Sequence, residues 1–143
     1  MGLRAALRAL VVVASLALTC SAAAKDFKPG DLRVCNAARC VAIADQDVLD
    51  AVSTFYYGTS KLSVVPRPRL GAPAFVLRFR NGYATGIVGS ATLDRFLSYG
   101  VNLDRFERGR WYRVPALAAR ELRRLTAGLT PLRVTSAALA KAH

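Results

Sequence analysis

The stretch Ala74-Phe-Val-Leu-Arg-Phe-Arg-Asn81-Gly82-Tyr-Ala-Thr-Gly-Ile-Val88 decides how the chain is read. Two β-rich runs flank Asn81-Gly82, a dipeptide suited to a two-residue type I′ turn because both of its residues accept positive φ. Such a turn sets Arg80 opposite Tyr83, Arg78 opposite Thr85, Leu77 opposite Gly86 and Phe75 opposite Val88. Side chains alternate between the faces of a strand pair. One face then carries Phe75, Leu77, Phe79, Ala84, Gly86 and Val88, all apolar, and is expected to lie on a core. Gly86 leaves space there for another element to approach. The other face collects Val76, Arg78, Arg80, Tyr83, Thr85 and Ile87.

A second hairpin is expected upstream. Leu32–Cys35 and Cys40–Ile43 bracket the loop Asn36-Ala37-Ala38-Arg39, so Cys35 and Cys40 face one another. The chain starts with a basic stretch (Arg4, Arg8), an apolar run over 9–18 and small residues up to Ala24, the layout of a secretory signal peptide. The run is about half the ~20 residues that a spanning helix needs. Cleavage after Ala24 leaves two cysteines in an exported chain, and such a pair forms a disulfide. A ring this small contributes about 2 kcal/mol by loop entropy. The reading is therefore a signal peptide over 1–24, one domain over 25–129 and a tail over 130–143, disordered or weakly helical. Localisation is secreted, periplasmic or cell-envelope. A membrane enters only through an uncleaved signal or lipidation at Cys20, where Thr19 and Ala17 fit a lipoprotein site poorly.

Between and after the hairpins the periodicity is helical. Asp45 suits an N-cap for a helix to about Tyr57, with Val48, Leu49, Val52, Phe55 and Tyr56 on its buried side and Gly58 as its stop. Leu62–Val65 reads as a short strand broken by Pro66-Arg67-Pro68-Arg69. Ser90 or Thr92 could cap a short helix through Leu93, Phe96 and Leu97 to about Gly100. Trp111–Val114 reads as a strand, and Pro115 opens a last helix with Ala118, Leu122 and Leu125 inward. The sum is an α+β fold: a small single domain, a mainly antiparallel sheet with β-hairpins near 32–43 and 75–88, packed against two or three helices. A helix-turn-helix around Tyr99-Gly100 is a weaker alternative, since an exported chain meets no duplex to read.

Little points to catalysis. The sole histidine is His143, the last residue given, which argues against an oriented general base or a zinc site. No dinucleotide fingerprint or P-loop is present, so no cofactor and no metal are expected. Asp45, Asp47 and Asp50 cluster where acids favour a helix dipole and lack the pattern of a calcium loop.

Charge points to binding. Removing Arg4 and Arg8 from the 21 basic residues leaves 19 against 9 acidic, a net +10, and 15 of the 19 are arginine. The expected function is a non-catalytic binding module of the envelope or extracellular space. It would contact an envelope protein or anionic polymer through Arg78, Arg80 and Tyr83, with Trp111, Tyr112 and Arg113 as further candidates. Arginine and aromatic side chains concentrate interface energy. The alternatives are an envelope hydrolase using paired carboxylates and an anionic lipid or nucleic-acid binder working through Arg120, Arg123, Arg124 and Arg133.

Overall fold

The computed structural model describes residues 27–58, 60–100, 102 and 104–140. The expected signal segment and His143 lie outside the described residues.

The two hairpins form as strands β1 (Leu32–Cys35) with β2 (Cys40–Ala42) and β4 (Pro73–Phe79) with β5 (Ala84–Gly89). They share one sheet because β1 pairs antiparallel with β4. Strand β6 (Arg95–Ser98) and β7 (Trp111–Arg113) extend it, and β3 (Val64–Val65) closes the far edge. The order is β2-β1-β4-β5-β6-β7-β3, every pair antiparallel, with β8 (Leu132–Arg133) beside the start of β4. Helices α1 (Gln46–Tyr57) and α2 (Ala116–Thr126) cover one side, the helix face. There Phe75, Leu77, Val88, Phe96 and Tyr112 pack against Leu49, Phe55, Ala118 and Leu122. The chain is thus a small single α+β domain. Among the described residues no helix is long and apolar enough to cross a membrane.

The local signals explain these elements. Asp45 Oδ1 accepts from the Val48 amide at 3.1 Å, the N-cap bond that starts α1. Gly58 ends it differently from a left-handed stop. Its φ is −65° and ψ is 170°, and glycine is required because a Cβ would strike the Thr54 carbonyl oxygen. The Cys35–Cys40 disulfide closes the first hairpin. Its loop reaches the end of α2: Asn36 Nδ2 donates to the Thr130 carbonyl (3.0 Å) and Arg39 Nη2 to that of Gly128 (3.2 Å).

The central hairpin keeps its expected register in the body and departs from it at the turn. Phe75↔Val88, Val76↔Ile87 and Leu77↔Gly86 are paired. The turn is Arg80-Asn81-Gly82: the Gly82 amide donates to the Phe79 carbonyl (2.8 Å) and the Phe79 amide to the Tyr83 carbonyl (2.9 Å). Gly82 has positive φ and Asn81 does not, which is a three-residue loop with a glycine bulge, not the type I′ turn. The extra loop residue is offset by a second bulge at Thr85, since Arg78 pairs with Ala84. That bulge exchanges faces beyond it. Ala84 joins Arg78, while Tyr83 pairs with Phe79 on the helix side.

One expected element is corrected. The segment expected to be a helix over 92–100 is strand β6, because Phe96 and Leu97 are both buried, one on each side of the sheet. Two-sided burial needs the alternation of a strand, and this overrides the i, i+3, i+4 spacing of Leu93, Phe96 and Leu97. With no helix there, the helix-turn-helix alternative falls. The tail, read as disordered or weakly helical, carries both a strand and a short helix over 132–140. These are β8 and α3 (Ser136–Ala140), and Val134 is buried in the second cluster, on the far face, with Val65, Ala74, Ile87, Leu97 and Trp111.

The β5–β6 turn is held by Asp94. Ser90 Oγ donates to Asp94 Oδ1 at 2.7 Å, and Ser90 and Leu93 both have positive φ. Burial would raise the carboxyl's pKa, but the Ser90 and Thr92 hydroxyls and the Arg95 charge outweigh it and hold the group below its ordinary 3.8. A lowered folded-state pKa adds stability above the unfolded value, and that stability is lost as pH falls through the folded one. Asp94→Ala should therefore cost about 1.5 kcal/mol at pH 7. Its melting temperature should approach wild type as the pH drops below 3.8; a gap unchanged in acid would mean that the carboxylate charge is irrelevant.

Candidate binding surface

The far face is built from strand alternation. On β1, Leu32 and Val34 enter the core, so Arg33 and Cys35 point the other way. Arg33 sits directly opposite Arg78 across the β1–β4 pair. Arg80 follows two residues beyond Arg78, its side chain exposed and its amide donating to the Asp31 carbonyl (2.8 Å). The adjoining row holds Val76 and Ile87. These floor a cleft of about 360 Å³, with Tyr99 on one side and Leu132 and Arg133 on the other.

Electrostatically this end of the face is positive. Arg78 Nη1 donates to the Gly82 carbonyl (3.0 Å) and Arg133 Nη1 to that of Gly71 (3.3 Å), both neutral acceptors. Arg33 Nε is shut off from solvent and has no hydrogen-bond partner among the described residues. The carboxylate nearest along β1, Asp31, accepts instead from the Lys28 amide at 2.8 Å. Among the described residues the ion pairs engage Asp94, Glu107 and Glu121, and none includes Arg33, Arg78, Arg80 or Arg133. Burial raises the Tyr99 hydroxyl's pKa, with the Arg78 charge pulling it the other way, so the phenol is a neutral donor beside the guanidinium.

The residues named from the sequence do not form one surface. Arg78 and Arg80 do share a side. Tyr83 is 61% exposed but stands on the helix side, within electrostatic reach of Tyr56. Trp111 and Tyr112 are core residues: Trp111 is sealed in the far-face cluster, and the Tyr112 hydroxyl accepts from the Glu107 amide (2.9 Å) inside the helix-face core. Arg113 is exposed and lies 3.6 Å from Asp94. The helix arginines are occupied as well. Arg120 and Arg124 pair with Glu121 (3.3 and 2.7 Å), and Arg123 donates to the Thr92 carbonyl (2.6 Å). Arg33 escaped the sequence reading. Its signal was the alternation Leu32-Arg33-Val34, but its place beside Arg78 depends on β1 joining β4, which no local pattern encodes.

Comparison with known proteins finds no family model that matches the chain, no curated relative and no similar solved structure.

Proposed function

We propose that the chain is an exported, non-catalytic binding module that holds an anionic polymer of the envelope on the far face of its sheet. The observation carrying this reading is the Arg33–Arg78 pair. Like charges directly opposite one another destabilise a sheet, and these two lack a carboxylate partner among the described residues. An anion lying across them would turn that repulsion into paired, charge-assisted hydrogen bonds. Arg80 follows Arg78 on the same strand side, and the apolar cleft at Val76 and Ile87, with Arg133 at its wall, accepts a carbon backbone between charges. The net charge of +10 left after removal of the signal segment adds attraction at longer range.

A synthetic poly(glycerol phosphate) chain serves as probe, with neutral dextran as control. Binding should fall steeply with salt, as phosphate-dominated binding does. Arg33→Ala with Arg78→Ala should weaken it at least tenfold and flatten the salt dependence, with little change in melting temperature. Salt-insensitive binding, or full affinity in the double variant, would overturn the reading. Capture of a protein partner with no affinity for the polymer would do the same.

A further inference from the structure

A second hollow lies away from the arginine face. It is a groove of about 740 Å³ between α1, the segment Ser60–Ser63 and the start of α2. Its walls carry opposite charges. Asp47 and Asp50 come from α1, and Lys61, Arg105 and Arg113 from the segments that follow it. The floor between them is apolar, made by Phe55, Leu62 and Val114, with Leu117 on the rim and 40% exposed.

These charges do not neutralise each other. Among the described residues no ion pair joins either aspartate to Lys61, Arg105 or Arg113. Asp50 accepts from Gln46 Nε2 (2.8 Å), Arg105 Nε donates to the Phe55 carbonyl (2.8 Å), and Arg113 lies 3.6 Å from Asp94. The groove therefore presents two separated charged ends and a greasy middle. Its volume is that of an ordinary small-ligand site.

We infer that this groove binds a short peptide bearing a free ammonium group and a free carboxylate, the ammonium against Asp47 and Asp50 and the carboxylate against Lys61. An apolar side chain between them would rest on Phe55, Leu62 and Val114. A singly charged ligand would leave one wall unanswered, and a neutral one both. Helix α2 adds to the carboxylate end: Pro115 provides no capping side chain and the first turn has no acidic residue, so its amide end favours an anion.

The probe is the unblocked tripeptide Lys-Leu-Ala, titrated calorimetrically into the folded protein, with its C-terminal amide as comparison. Saturable binding is expected, and amidation should weaken it about tenfold. Lys61→Ala should weaken the free acid and remove most of the difference between acid and amide. Asp47→Asn with Asp50→Asn should weaken both forms about tenfold, and circular dichroism should confirm that α1 persists. Equal affinity for acid and amide in the wild-type protein would overturn the inference, as would no binding at millimolar peptide or indifference to both sets of substitutions. The amide comparison needs no variant, so it holds even if a variant misfolds. Arg33→Ala with Arg78→Ala leaves this groove untouched, so it should not change peptide affinity. The two readings can therefore fail separately.

Discussion

Gly86→Ala should lower stability by about 3 kcal/mol, an effect at the upper end for added volume in a packed core. The methyl group would land on the Phe96 ring and on the Leu97 carbonyl oxygen. Phe96 is fully buried and in edge contact with Phe55, Tyr56 and Phe106, so the ring has nowhere to retreat. Leu97 belongs to the ladder joining β5 to β6, so moving its carbonyl disturbs the sheet. A domain of this size should lose about 10 °C or more in Tm. Gly82→Ala is the control. Gly82, unlike Gly86, has positive φ, and a Cβ there meets nothing within 4 Å, so only the backbone conformation is penalised, about 1 kcal/mol. If the two variants melt alike, close packing at Gly86 is not what selects glycine.

The same hairpin shows how much of the fold was legible. Register in its body followed from alternation, because one face had to be apolar and a slip of one residue would have exposed it. The turn type did not follow, since Asn-Gly serves a type I′ turn and the start of a glycine bulge equally well. The second bulge at Thr85 has no sequence signature of its own. Thr85 is nonetheless buried, with its hydroxyl donating to the Leu77 carbonyl (3.3 Å). Helix α1 was legible because the cap, the stripe and the stop agree. Strand β6 was not, since Leu93-Asp-Arg-Phe-Leu97 satisfies helical spacing until neighbouring strands bury both of its sides.

Of the binding surface, the sequence carried half. Arg78 and Arg80 were visible as charges on a strand, whereas Arg33 joins them through pairing between segments more than forty residues apart. Tyr83 was misplaced by the bulge alone. Trp111 and Tyr112 have the composition of an interface, yet in a sheet covered on both sides at this point, adjacent aromatics become core. The charged groove was less visible still: Asp47 and Asp50 read as helix-dipole acids, and only the fold brings Lys61, Arg105 and Arg113 into the same groove.

Ending the chain at Thr130 should also cost about 3 kcal/mol or more, although these residues look uninformative in sequence. The cut removes Val134, which is 1% exposed, together with Leu132 and Leu139, which pack against the far-face cluster. Burying one such side chain fully contributes about 1.5–3 kcal/mol, and the two partly buried ones add less. It also breaks the pairing of Leu132-Arg133 with β4 and the exchange of Val134 backbone bonds with Gly71 and Ala72 (2.8 and 2.9 Å). Trp111, the only tryptophan, lies in the same cluster and reports directly: its emission should shift to the red in the truncated chain while still folded. Val134→Asp in the full-length chain tests the same contact without shortening anything and should act in the same direction, because a carboxylate there would be buried without a partner. Wild-type Tm and unshifted emission in both proteins would show that the segment only rests on the sheet. A loss in both would make it the lid of the far-face core, and the cleft beside Arg133 would then owe its wall to these last described residues.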